Sequence, residues 1–493
     1  MGISWVLALY VPLLATMNQQ ADSPGVTAIK SFVDCLNANN LSTMERFVDD
    51  RFKRRSTTEK ELAGRAQRLL DLDSLGAPFA FDSVLEDTTA KVIVLVKNAL
   101  GQPFEIKMNF DADPPHRALS VYMGGPGSQS APPPKEYDHW RDLPDLLDQI
   151  RTDTKVPAMC LEVVDHGEAR LAVSGTRTMS ASVKAAASDR WLLGSITKSI
   201  TATMIARLVD RHVLRWDSTI SEILPKMPMR EGYRKVTILQ LLQHRAGVVQ
   251  DLYVNPDFLA KAAGENTDRV KMREHYTEFV LSREPIGAPG ERMRYSNAGY
   301  SVASHLAEFV TGKSYERLVK ELVFDPLKMR SALFGVPGQP GSPGGPGQPM
   351  GHTFTGDKLE PNLIDDPRWC GTQTAAGAGL SMTIDDLMKF VRYHLAGMRG
   401  HATMMSQANF DVLHRPLDLG DTYACGWLIT RDLTREPFHG HNGSDGTFRA
   451  EMAIWPDRDL AIVAIANAGS RSDPSPPLQA VVAVYNRLDK QRK

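Results

Sequence analysis

The sequence predicts an α+β protein in two parts, and three observations carry that prediction. A Gly/Ser/Pro run, Gly124–Pro134 (GGPGSQSAPPP), has too little apolar surface to pack and separates a short N-terminal segment from a long one. Within the short segment, runs with helical spacing precede β-rich runs, the order of an α+β plan. The long segment mixes apolar-striped helices with strand-like runs near its C-terminal end. The expected division is 1–21 leader, 22–123 small α+β domain, 124–136 linker and 137–493 large domain. A chain of 493 residues suits two or three domains. With 57 Lys+Arg against 58 Asp+Glu the formal charge is -1, which leaves no basic field for a phosphate backbone and excludes nucleic acid as a partner. Hydrophobic residues at 42% and charged residues at 23% describe an ordinary globular chain. Four cysteines, Cys35, Cys160, Cys370 and Cys425, are too few for a disulfide framework and form no C-x-x-C site.

The leader rests on Ile3–Leu14 (ISWVLALYVPLL), an apolar run followed by polar Asn18-Gln19-Gln20. A bilayer span needs about 20 apolar residues, whereas a secretory signal needs about 7–15. A signal peptide, and so a secreted or periplasmic protein, fits better than an uncleaved hydrophobic segment. No Cys follows the run closely, so no stable membrane anchor is expected.

In the small domain, Phe32, Val33 and Leu36, then Met44, Phe47 and Val48, stand at helical spacing. The runs FAFDSVL, AKVIVLVKN, PFEIKMNFD and ALSVYM read as strands, with Asn98–Gly101 as a hairpin connection between two of them. In the large domain, Val336–Pro349 (VPGQPGSPGGPGQP) cannot hold regular structure and reads as a surface insertion. No internal repeat is present.

Three elements of the large domain carry chemistry. In WLLGSITKSITATMIARLVD the chain becomes helical near Ser195, with Ile196, Ile200, Met204 or Ile205, and Leu208 as the apolar stripe. Ser195 and Lys198 are three apart and share a helical face. At a helix start, exposed N–H groups favour an oxyanion near Ser195, and the dipole disfavours extra positive charge on Lys198, which suits a base. Against this stands a plain capping Ser with a solvated Lys, and the Lys198 ammonium is expected to be only partly buried. In APGERMRYSNAGYSVASHL, Tyr295 and Asn297 are two apart in a turn-to-helix frame, one phenol for proton transfer and one amide to orient a group. Tyr253-Val254-Asn255 repeats the pattern, but in a polar loop before Pro256, and is set aside. In FHGHNGSDGTFRAEMAIW, His441-Asn442-Gly443 enters a strand; Gly443 lets a ligand approach the backbone closely, and Ser444 N–H can pair with that of Ser195 as an oxyanion hole, so both are expected to bind substrate. His439 and His441 are alternative metal ligands, but no H-E-x-x-H accompanies them. Gly312-Lys313-Ser314 lacks the upstream glycine of a phosphate loop and reads as a helix end. No G-x-S-x-G is present.

Ser195-Ile-Thr-Lys198, Tyr295-Ser-Asn297 and His441-Asn-Gly443, in this order, resemble the motifs of the serine beta-lactamase/penicillin-binding-protein-like hydrolases. The Tyr-x-Asn form resembles the branch of class C beta-lactamases, DD-peptidases, D-aminopeptidases and esterases. Val236–Val248, Phe324–Met329, Ala375–Phe390 and Tyr423–Trp427 extend the likeness over about Tyr137 to Tyr485. It implies an antiparallel sheet flanked by helices beside a helical region, with the site between them and no cofactor or metal. The small domain resembles the cone-shaped nuclear-transport-factor or ketosteroid-isomerase type.

The resemblance implies that Ser195 attacks a carbonyl, that Lys198 and Tyr295 move its proton, that Asn297 holds substrate or Lys198, and that His441 supports the proton network. Substrates would be small molecules or peptides, peptidoglycan fragments among them. Two departures stand out. The third motif is usually Lys-Thr-Gly in beta-lactamases; His441 at an ordinary pKa near 6.5 lacks the fixed charge for a carboxylate, so ester or amide hydrolysis is expected over efficient beta-lactamase action. His212 stands where relatives commonly have Gly. The rival readings are a penicillin- or peptidoglycan-binding protein without turnover, and a ligand-binding role for the small domain.

Overall fold

Pro24 and the apolar spacing behind it open the first helix, α1 (Pro24–Ala38), and Asn40 caps the second, α2 (Leu41–Arg51), by accepting from Thr43 N. Four β-rich runs follow as an antiparallel meander: β1 (Ala80–Asp87), β2 (Lys91–Lys97), β3 (Pro103–Phe110) and β4 (Ala118–Gly124). Alternation along β2 buries Val92, Val94 and Val96 on one face, and α1 packs on the sheet with Ile29, Phe32 and Leu36 fully buried. This first unit holds a cavity of about 740 Å³ whose walls include Arg51, Asp87, Phe110 and Arg117. The structure is a computed structural model and describes residues 22–38, 40–52, 62, 66, 69–70, 72, 78–98, 103–124, 136–180, 182–249, 268–338, 347–355, 358–362, 375–401, 403–417, 422–430, 433–469 and 474–492. The leader, most of the linker, the Asn98–Gly101 connection beyond Asn98, Tyr253–Asn255, Cys370 and the middle of the Pro/Gly insertion lie outside the described residues.

Contacts divide the chain into two compact units, the first reaching Pro126 apart from Asp71–Ala77. The second unit is built on a six-stranded antiparallel sheet. Its N-terminal pieces are α3 (Leu143–Thr154), β5 (Ala158–Asp165) and β6 (Glu168–Gly175). A helical region follows with α4 (Thr197–Asp210), α5 (Asn297–Thr311), α6 (Ile384–Met398) and α7 (Gln407–His414). The chain then returns through β7 (Leu428–Thr430), β8 (Phe438–Ser444), β9 (Arg449–Trp455), β10 (Leu460–Ala466) and α8 (Pro476–Gln491). The sheet order is β7-β8-β9-β10-β5-β6. β5 and β10 are buried along almost their whole length, because helices cover both faces: α3 and α8 on one, α6 on the other. Trp455, Tyr485 and Leu146 lie in the core on the α3/α8 side, while Met452, Val463 and Phe390 lie in the larger core shared with the helical region.

His212 follows α4 with φ 57, a left-handed position, which explains why glycine suits it. Gly312, at φ 64, ends α5, and Ser314 caps the next helix by accepting from Arg317 N, so the Gly-Lys-Ser string is a helix end.

Candidate active site

The turn that holds Ser195 can form only because residue 194 is glycine. Gly194 has φ 53, and a Cβ on it would lie 2.3 Å from Ser444 N. Gly194–Ile196 is a 3₁₀ turn that feeds directly into α4, so Ser195 lies just ahead of the helix and Lys198 in its first turn. Ile196, Ile200, Met204 and Ile205 are completely buried and fix the helix in the core.

The two motif residues meet. Lys198 Nζ lies 3.0 Å from Ser195 Oγ, and it donates to Asn297 Oδ1 at 2.5 Å and to the Gly377 carbonyl at 2.8 Å. It also sits 4.6 Å from the centre of the Tyr295 ring and 5.7 Å from that of Tyr300. Lys198 is 0% exposed, which corrects the expectation of a partly buried ammonium. The reason is tertiary: the Ala375–Ala378 helix and the start of α5 close over a position that a lone helix would leave in water.

Asn297 opens α5 behind the cap Ser296, whose Oγ accepts from Gly299 N at 2.9 Å and donates to the Val249 carbonyl at 2.7 Å. Tyr295 lies half-buried in the segment just before the cap, its ring 4.3 Å from that of His244 and edge-on to Tyr423 at 6.2 Å.

On β8, strand alternation turns His441 inward and leaves Asn442 exposed. Gly443 is needed at a close backbone approach, since a Cβ there would be 1.8 Å from the Leu193 carbonyl oxygen and 2.9 Å from Ser195 N. The room this glycine leaves is filled by the chain's own Leu193–Ser195 backbone, where the sequence reading assigned it to an incoming group. The amides of Ser195 and Ser444 therefore flank one seam.

His441 Nδ1 lies 2.5 Å from the Asn442 carbonyl, which can only accept, so Nδ1 carries the proton and Nε2 accepts from the Tyr423 hydroxyl at 3.2 Å. Burial, and then the nearby Lys198 charge, push the His441 pKa down to about 3. The ordinary value assumed from sequence does not hold; His441 is neutral at every pH where a lysine or phenol base works. His244 is likewise held well below the usual range by burial, Lys198 and His441. Tyr300 donates to the Leu242 carbonyl at 2.7 Å, and burial raises the pKa values of Tyr300 and Tyr423.

The structure thus gathers Ser195, Lys198, Tyr295, Asn297, His441, Gly443 and Ser444 around one site. His439 is not part of it: its ring lies 5.5 Å from that of His414. Among the described residues no group of three His, Cys, Asp or Glu is placed to hold a metal ion. Four participants were not singled out from sequence: His244, Tyr300, Tyr423 and the Gly377 carbonyl. All but Tyr300 fall within the stretches that carried the family resemblance, which was the available signal.

The beta-lactamase family model matches residues 143–485. The chain belongs to the beta-lactamase family. Penicillin-binding protein 4 of Amycolatopsis lactamdurans is 24% identical over 350 residues, covering 68% of this chain and 86% of that relative. The octameric penicillin-binding protein homologue of Pyrococcus abyssi superposes with TM-score 0.59 at 23% identity, covering 70% of this chain and 77% of the other. The D-amino acid amidase of Ochrobactrum anthropi SV3, complexed with L-phenylalanine amide, gives TM-score 0.57 at 20% identity, covering 71% and 98%. As in these structures, the second unit of this beta-lactamase family chain has the beta-lactamase/transpeptidase-like fold.

Proposed function

We propose that this family member is a metal-independent serine hydrolase that cleaves an ester or amide through an acyl-enzyme on Ser195. The observation that carries the reading is the buried contact of Lys198 with Ser195. Lys198 Nζ lies 3.0 Å from Ser195 Oγ, while Asn297 Oδ1 and the Gly377 carbonyl accept from it and hold it there. In its neutral form such an amine can take the hydroxyl proton.

Ser195 Oγ attacks the substrate carbonyl carbon and gives its proton to Lys198, with the Tyr295 phenol passing it on. The carbonyl oxygen, now negative, is held by the N–H groups of Ser195 and Ser444; loss of one such donor costs about 3–4 kcal/mol. The bond to the leaving group breaks, and that group departs with the proton. Water then repeats the attack on the ester carbon and frees Ser195. Asn297 holds Lys198, and His441 supports the Tyr423 hydroxyl from the facing strand. The neutral His441 offers no charge to a substrate carboxylate, so short esters and amides, amides of D-amino acids among them, are better substrates than penicillins. The relatives named for penicillin binding and for D-amino acid amide hydrolysis support a small-molecule or peptide substrate. The apolar leader supports a secreted or periplasmic site of action. Incubation with p-nitrophenyl acetate, D-phenylalanine amide, a D-Ala-D-Ala peptide and benzylpenicillin tests the reading. Sustained release from the ester or amide agrees with it, whereas a single stoichiometric burst from all four marks a trap without turnover.

A further inference from the structure

Tyr295 is held from both sides by one residue. Arg294 N donates to the His244 carbonyl at 2.6 Å, and Ser296 N donates to His244 Nδ1 at 3.0 Å. The residues before and after Tyr295 are thus tied to the backbone and the ring of the same histidine. His244 itself is fixed: it is 2% exposed and has the left-handed φ 59, uncommon for a residue with a side chain. Its ring packs against Tyr295 at 4.3 Å, Tyr423 at 4.7 Å and Tyr300 at 5.2 Å. Because Ser296 N–H is a donor, Nδ1 is the unprotonated nitrogen and Nε2 bears the hydrogen, which meets no acceptor among the described residues. A neutral ring in this tautomer is the state the clamp requires.

We propose that His244 is a positioning residue that sets the Tyr295 phenol over Lys198, acting through the Ser296 N–H···Nδ1 bond and the ring contact. The proposal rests on the reading that Tyr295 moves the Ser195 proton. Asparagine tolerates the left-handed backbone and its Oδ1 stands where Nδ1 does, so it preserves the clamp. Leucine keeps volume without an acceptor, and glycine keeps the backbone conformation without a ring.

The experiment measures kcat and KM for p-nitrophenyl acetate, and the rate of Ser195 phosphonylation by a fluorophosphonate, in His244→Leu, His244→Gly and His244→Asn. Misplacing a catalytic group by about 1 Å costs roughly 100-fold, so kcat should fall about that much in the first two with KM little changed. His244→Asn should recover to within about fivefold of wild type. Each substitution is then repeated in the Tyr295→Phe background, where the phosphonylation rate should drop less than about threefold further, since residues acting as a unit are non-additive. An equal loss in both backgrounds, or no rescue by asparagine in a variant that unfolds cooperatively, overturns the positioning role alone. A Tyr295→Phe single variant with unchanged kcat overturns the assignment of Tyr295 and the inference together.

Discussion

Two pairs of buried histidines in the second unit share nearly the same physical surroundings and differ in what stands next to them. His244 and His441 flank Lys198 and three tyrosines. His394 and His414 lie on α6 and α7: His394 Nδ1 is 2.9 Å from His414 Nε2, and its Nε2 is 3.0 Å from Thr203 Oγ1. Both rings pack on Trp427, at 4.7 and 4.3 Å. Burial alone pushes His394 down to about 3, the same value as His441. One five-residue segment serves both pairs, with Tyr423 reaching His441 and Trp427 reaching His394 and His414. Depressed basicity therefore does not mark a catalytic site by itself. What separates the pairs is the Lys198 amine, 3.0 Å from Ser195 Oγ beside the first pair; the hydroxyl beside the second, Thr203 Oγ1, donates its proton to the Ser199 carbonyl.

The largest loss is expected from removing the amine proposed to take the Ser195 proton. Lys198→Ala should lower kcat/KM for p-nitrophenyl acetate by about 10⁴-fold or more. It also leaves Asn297 Oδ1 and the Gly377 carbonyl without their buried donor, so some loss of thermal stability should accompany it, about 1–3 kcal/mol. His394→Phe should do the reverse, lowering the thermal midpoint while kcat stays within about threefold, because it touches no reacting atom. A large kcat loss in His394→Phe would erase the distinction between the two pairs. Next in size, Tyr295→Phe should cost about 10²- to 10³-fold in kcat, while Tyr253→Phe leaves it near wild type. The opposite ranking would show that the catalytic tyrosine belongs to the other Tyr-x-Asn string.

The difference between the pairs also marks what a sequence can tell. Ser195, Lys198, Tyr295, Asn297 and His441 stood out because each sits at a helix start, a turn-to-helix junction or a strand entry, and these carry local signals. The strands β1 to β4 and the helices α1 and α2 were legible for the same reason, through period and turn residues. Gly377 contributes a backbone carbonyl, which no residue type announces, and it meets Lys198 across 179 positions of chain. His244 and Tyr423 meet the site through partners remote in sequence, so no period or turn signal marks them, and only the stretches that carried the family resemblance set them apart from His394 or Tyr393. The burial of Lys198 and the low basicity of His441 are properties of the closed fold, invisible in a string of residues.

Acid should treat the two pairs alike, which sharpens the point. His394 and His441 have folded values near 3, and His244 and His414 lie well below the ordinary 6.5. The stability these neutral rings contribute is fully present above pH 6.5 and is lost as pH falls below it. Between pH 7.5 and 5.5 His394 and His441 should each cost on the order of 1 kcal/mol of unfolding free energy, and His244 and His414 should add to the loss in the same direction. Urea denaturation at the two pH values should show the drop in wild type and a smaller one in His394→Phe; identical drops would contradict the assigned burial. The smallest effect expected is none at all. The ratio of kcat/KM for p-nitrophenyl acetate to that for benzylpenicillin should stay flat from pH 5 to 8, since His441 does not titrate there. Penicillin hydrolysis rising through a midpoint near 6.5 would mean that His441 is more solvated than it is here.

On the proposed mechanism Ser195, approached by Lys198, is the residue acylated. Intact-mass analysis after exposure to a fluorophosphonate, followed by peptide mapping, tests it directly. One adduct per chain is expected, on the peptide containing Ser195, with no adduct and no ester turnover in Ser195→Ala. An adduct of equal occupancy on Ser195→Ala, or turnover that survives the substitution, would contradict it.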